Sequence, residues 1–229
     1  MDCYYNSSDY SLYIIYDKPQ LNVVYVPQMF QSYREMFTDD YIFTVPINEN
    51  IHFSQNIPYK EMKPPIIYIS LGSIISNRGF CKMIIRAFRN KDMSVILNTG
   101  RIKPETLRNI PDNIYAYSFV PQNDVLKNAS VFLTHCGMNS VNEAITYGVP
   151  MVAMPFINDQ LSNAKRIVEL GIGERVRSFP GSGRQIYKAI IKVYNNEHIR
   201  NRSIELSSLL KKENTLDDVI TRVENICTI

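Results

Sequence analysis

His135, Cys136 and Gly137 stand together after the apolar run Val131–Thr134 and before a stretch, Asn139–Tyr147, with helical spacing. A neutral imidazole can donate a hydrogen bond, and a glycine lets a ligand approach the backbone at a helix start, where free N–H groups favour anions. Three further strand ends carry small or polar residues of ligand-binding type: Gly72-Ser73, Phe119-Val120-Pro121-Gln122, and Pro155 to Gln160, which includes Asp159. In open parallel sheets, ligands bind beyond the carboxyl ends of the strands. Four strand ends of this kind are hard to attribute to packing alone.

Taken singly, each residue has a second reading. Ser140-x-x-Glu143 also matches a capping box, and Asp159 opens a helical stretch as an N-cap would. Taken alone, His135 is more often a hydrogen-bonded structural histidine, and Phe119 more often core. Cys136 is no evidence for a thiol nucleophile, because adjacent strand residues point to opposite faces.

The elements that must position these residues follow from composition and periodicity. All 9 glycines fall between Gly72 and Gly183, while 6 of the 12 prolines precede residue 66. The first part is therefore read as extended segments and linker, with strands at Leu21–Val26 and Tyr41–Val45 and no closed core. A boundary is placed at Pro64-Pro65, dividing residues 1–64 from 65–229. Beyond it, strands at Ile66–Leu71, Ser94–Asn98, Ile114–Phe119, Val131–Thr134 and Met151–Met154 alternate with helices at Phe80–Asn90, Asp124–Asn128, Asn139–Tyr147 and Gln160–Leu170. This alternation predicts an α/β fold, a Rossmann-like parallel sheet with flanking helices. From Arg184 to Ile229 there is neither Gly nor Pro and the apolar spacing is helical, a C-terminal helical tail expected to pack on the sheet.

The 229 residues suffice for a sizeable core, and 45% apolar with 21% charged side chains exclude disorder and coiled coil. A net charge of +3 without a Lys/Arg run gives a nucleic-acid partner little support. No apolar segment is long enough to span a membrane, and the N-terminus is a poor signal peptide. The four scattered cysteines (Cys3, Cys81, Cys136, Cys227) have no metal-ligand spacing and read as reduced thiols of a cytoplasmic protein.

The set Phe119-Val120-Pro121-Gln122, Phe132 to Ser140 with Glu143, Gly148-Val149-Pro150-Met151, Pro155 and Asp159-Gln160 with Asn163 resembles the donor-binding signature of the UDP-glycosyltransferases. These are two-domain GT-B enzymes of glycosyltransferase family 1, and the bacterial macrolide-type members are the nearest likeness. The resemblance implies that residues 65–229 correspond to the C-terminal, donor-binding half. It implies that His135 donates to a diphosphate oxygen, with Gly137, Asn139, Ser140 and Ser73 completing the cradle. Glu143 would accept from the ribose hydroxyls, and Phe119 would take the place of a base-stacking Trp in plant relatives. The backbone around Val120 and Gln122 would read uracil, while Asp159 and Gln160 would bind sugar hydroxyls.

The implied reaction is an inverting transfer of a hexosyl group from a UDP-sugar to an acceptor hydroxyl, with no cofactor and no metal. There is no D-x-D motif; Asp39-Asp40 and Asp217-Asp218 are in the wrong setting. The general base of such enzymes is a His in an N-terminal acceptor domain, and neither His52 nor His198 is placed to be that residue. Residues 1–64 are expected to be only a remnant of that domain with the linker. An acceptor-domain chain is then an expected partner. The alternative is a truncated, non-catalytic nucleotide-sugar-binding module; an epimerase or hydrolase of UDP-sugars, for which only Asp159 and Glu143 offer acid or base groups, ranks below both. Acceptor and sugar are left open. Ser178 to Arg184 superficially resembles a phosphate loop but lacks the G-K-[ST] ending and a preceding apolar strand.

Overall fold

The computed structural model describes residues 19–45, 56–72, 77–177, 182–213 and 216–227. The chain forms two units, Met1–Pro46 with Asn214–Ile229, and Ile47–Glu213.

The larger unit is built on a six-stranded sheet: β3 (Ile66–Ser70), β4 (Ser94–Asn98), β5 (Ile114–Tyr117), β6 (Val131–Thr134), β7 (Met151–Ala153) and β8 (Gly173–Arg175). Their order is β5-β4-β3-β6-β7-β8, with every neighbouring pair parallel. All five residues of β3 are buried, as a central strand covered on both faces requires. Its residue Tyr68 lies opposite Phe132 of β6, and the two rings stack with centroids 4.7 Å apart.

The helices follow the apolar spacing. In α1 (Arg78–Phe88), Asn77 caps the first turn by accepting from Phe80 N at 2.9 Å, and Phe80, Cys81, Ile84, Ile85 and Phe88 are buried. Then come α2 (Gln122–Asn128), α3 (Met138–Thr146) and α4 (Asp159–Glu169), the last followed by Gly171 at φ +70. A capping box of Ser182 and Gln185 opens α5 (Gly183–Asn195), whose Ile186, Ile190 and Val193 join the same core as Ile67, Ile69 and Val95. A Cβ on Gly183 would lie 2.7 Å from Ala87 Cβ, so that glycine is kept by the close approach of α5 to α1. Residues 178–181 of the suspected loop lie outside the described residues.

The helical tail divides. The sheet is covered by α5, while α6 (Glu197–Leu210) packs on α3, where Ser207 Oγ donates to Thr146 O at 2.6 Å. The third helix, α7 (Leu216–Cys227), belongs to the smaller unit. Periodicity reports that a helix has a buried face; it cannot say against what. The short edge strand β8 escapes a sequence reading because it is a Gly-Glu-Arg tripeptide without apolar alternation.

The smaller unit pairs β1 (Asn22–Val24) in parallel with β2 (Tyr41–Phe43). It has a small core after all: Phe30, Ile42, Phe43 and Val219 are buried, and Phe37 packs edge-on against Tyr41 and Phe43. Residues 56–63, read as linker, belong to the larger unit, where Ile57 and Met62 are buried and Tyr59 Oη donates to Asp124 at 2.7 Å. No helix among the described residues is long and apolar enough to cross a membrane.

Candidate functional site

The strand order reverses between β3 and β6, which makes the crevice beyond their carboxyl ends the switch point of the sheet. Gly72 follows β3 and His135 follows β6. At φ +79, Gly72 is in the left-handed region, and a Cβ on it would lie 2.7 Å from His135 Cε1. From the other side, a Cβ on Gly137 would lie 2.6 Å from His135 Nε2. The imidazole is therefore wedged against two glycines.

The φ of Gly137 is −62, open to any residue; the left-handed residue of the turn is Cys136, at φ 69. Cys136 N donates to Thr134 Oγ1 at 3.1 Å, and Asn163 Nδ2 donates to Cys136 O at 2.9 Å, so two side chains hold the strained turn. Gly137 is needed for the space that the ring occupies. The Cys136 thiol is buried and its pKa is pushed up to about 12 by that burial, which removes it as a thiolate nucleophile.

His135 is half-buried, and its Nδ1 is fully buried with no hydrogen-bond partner. Burial holds its pKa below the ordinary histidine value, with the Asp159 carboxylate pulling the other way. The ring is thus neutral at pH 7 and keeps its hydrogen-bonding capacity uncommitted.

Just past it, α3 starts at Met138 with Gly137 in the capping position and no side-chain cap. Ser140 is the third residue of the helix, so the capping-box reading of Ser140 and Glu143 does not hold. Instead, Gln122 Nε2 donates to Ser140 Oγ at 3.1 Å and to a Glu143 carboxylate oxygen. The other end of that amide, Oε1, accepts from Tyr68 Oη at 2.9 Å. Both ends of the Gln122 side chain are therefore in use. Two members of this constellation carried no assigned role in the sequence. Asn163 lay within the family signature, whereas Tyr68 was hidden in an apolar strand, its single hydroxyl the only signal.

The other candidates lie around the same crevice edge. Phe119, two residues past β5, is 51% exposed, which sets aside the core reading, while Val120 is buried. Asn139 is exposed in the first turn of α3. Asp159 is exposed and is the first residue of α4; the capping position is Asn158, at φ 44 and with no side-chain cap, so N-capping does not explain Asp159. Gln160 is buried, and its Oε1 accepts from Phe156 N at 2.9 Å and Ile157 N at 3.4 Å, closing the loop ahead of α4. Its Nε2 is the end left for a ligand. Ser73 and His52 lie outside the described residues. His198, exposed on α6 beside Gly171, sits at the opposite edge of the sheet.

Comparison with known proteins gives a consistent result. The family model for UDP-glucoronosyl and UDP-glucosyl transferase matches residues 59–226. The NDP-glycosyltransferase YjiC of Bacillus licheniformis is 30% identical over 214 residues, covering 92% of this chain and 54% of the relative. Demethyllactenocin mycarosyltransferase of Streptomyces fradiae is 32% identical over 152 residues, 66% of this chain and 33% of the relative. Among solved structures, the calicheamicin glycosyltransferase CalG4 superposes with a TM-score of 0.81 at 25% identity, over 95% of this chain and 56% of CalG4. The chain spans about half the length of the curated relatives that it matches best along its own length. Its sheet, its switch-point site and these likenesses together place the chain in the UDP-glycosyltransferase family, with the GT-B type of nucleotide-binding fold.

Proposed function

We propose that residues 65–229 form the donor site of an inverting UDP-glycosyltransferase that moves a hexosyl group from a UDP-sugar to an acceptor hydroxyl. The observation that carries this reading is a neutral imidazole, with an unpartnered buried nitrogen, held beside the uncapped N-terminus of α3 at the switch point. As the bond from the anomeric carbon to the diphosphate breaks, negative charge grows on the leaving oxygens. Preorganised donors stabilise it there: His135, the first N–H groups of α3 and the hydroxyl of Ser140, with Ser73 a further candidate from the sequence alone. Because Ser140 Oγ already accepts from Gln122, its own O–H is free to donate. Asn139 adds an amide, and Glu143, pinned by Gln122, accepts from the ribose. Phe119 offers an exposed face to the base beside the Val120 and Gln122 backbone. Asp159 and Gln160 address the sugar.

In this scheme neutral hydrogen-bond donors stabilise the diphosphate, and no metal and no cofactor takes part. The acceptor molecule that carries the hydroxyl, and the general base that deprotonates it, are held by an acceptor domain, on the same polypeptide or on a partner. The unpaired thiols of Cys81, Cys136 and Cys227 fit a reducing, cytoplasmic setting.

Titration of the purified chain with UDP and with UDP-glucose tests the reading. Saturable heat below about millimolar ligand is expected. No heat with either ligand overturns the donor site. In Asp159→Ala, UDP-glucose should weaken by about 0.5–1.5 kcal/mol more than UDP, the effect of losing a hydrogen bond to the sugar alone. Equal losses for the two ligands would remove Asp159 from the sugar site. A binding module without transfer would give the same titrations but no glycoside when an acceptor domain is added.

A further inference from the structure

The polar chain that ends on Glu143 begins in the middle of the sheet. Tyr68 is fully buried on β3, its ring fixed by stacking on Phe132. Its hydroxyl donates to Gln122 Oε1 at 2.9 Å, and Gln122 Nε2 donates onward to Ser140 Oγ and the Glu143 carboxylate.

The direction of these bonds is set by chemistry. A carboxylate only accepts, so Glu143 must meet the nitrogen end of the Gln122 amide. The flipped amide would put its oxygen against the carboxylate and its NH₂ against the phenol. The carboxylate thus sets the orientation, and the Tyr68 O–H donates to the oxygen end that remains, so that the amide is held at both ends. Burial raises the Tyr68 pKa, so the phenol stays protonated and remains a donor throughout the neutral range. A phenylalanine would fill the same space in the sheet and leave the oxygen end unheld.

We propose that Tyr68 is a positioning residue for nucleotide recognition: through Gln122 it orients Glu143, and with it selectivity for the ribose hydroxyls of the donor. This rests on the donor-site reading above, in which Glu143 accepts from the ribose.

The test compares UDP with 2′,3′-dideoxy-UDP by calorimetric titration of wild type, Tyr68→Phe, Gln122→Met and the double variant. Wild type should prefer UDP by at least about tenfold. Tyr68→Phe should lose about fivefold to tenfold in UDP affinity while 2′,3′-dideoxy-UDP changes by less than about twofold. Because Tyr68 acts through Gln122, the double variant should bind UDP no more weakly than Gln122→Met alone. A merely structural tyrosine predicts equal losses for both nucleotides, or none, and either result overturns the proposal. Should Tyr68→Phe fail to fold, Gln122→Met carries the same comparison: a narrowed preference supports the relay and an unchanged one overturns it. Failure of the wild type to bind UDP overturns the donor site and this inference with it; UDP binding with unchanged discrimination in the variants overturns the inference alone.

Discussion

Replacing His135 with alanine is expected to weaken UDP binding by about 1–3 kcal/mol, roughly fivefold to 150-fold, the range for losing a hydrogen bond to a charged group. The wedge between Gly72 and Gly137 fixes where the ring points, and no protein partner competes for its buried nitrogen. Binding therefore does not first break an internal bond, and most of the interaction appears as affinity. Calorimetric titration at pH 7.5 measures it; an unchanged affinity would remove His135 from the cradle.

Unfolding experiments provide a second readout on the same variant. The pKa of the folded-state imidazole is lowered, so above about pH 6.5 it is neutral in both states. As pH falls below that value the unfolded chain takes up the proton first, and stability declines. His135→Ala should lack this part of the decline, visible as a smaller difference in urea midpoint between pH 7.5 and 5.5.

The largest loss of stability is expected at the other side of the sheet, from Gly173→Ala. A Cβ there would lie 2.2 Å from the carbonyl oxygen of Met151 and 2.8 Å from Ile167 Cγ2. Met151 is the strand partner of Gly173, so the obstacle is backbone that cannot swing away as a side-chain tip could. Either β8 separates from β7 or α4 shifts off the sheet. The cost should be about 3 kcal/mol, the upper end for overpacking a tight interior. Urea denaturation reads it directly, and an unchanged midpoint would show that the β7–β8 pairing relaxes at little cost.

Much of the fold was legible because a parallel sheet buried on both faces leaves a one-dimensional trace. Ile66–Ser70, Ser94–Asn98 and Val131–Thr134 are apolar runs of strand length, and the intervening helices carry period-3.6 faces that burial requires. The ends of those strands were equally legible, and with them His135, Phe119 and Asp159. Edge features were not: β8 is too short and polar, and the partner of α7 is set by packing that no helical period encodes.

For the site, residue types and spacing along the chain determined that a histidine, a helix start, a carboxylate and further polar groups would lie at the carboxyl edge of one sheet. The tertiary structure alone decided what each could do there. Bringing β3 beside β6 places Gly72 and Gly137 against the His135 ring, so both glycines leave the space that the ring occupies. The same adjacency carries a hydrogen-bond chain from Tyr68 through Gln122 to Glu143, so that Ser140 and Glu143 are joined through Gln122 and not as a capping box. Sequence periodicity records which side chains leave water. Hydrogen bonds depend on which atoms then face one another, and that is settled only when strands distant in the chain become neighbours.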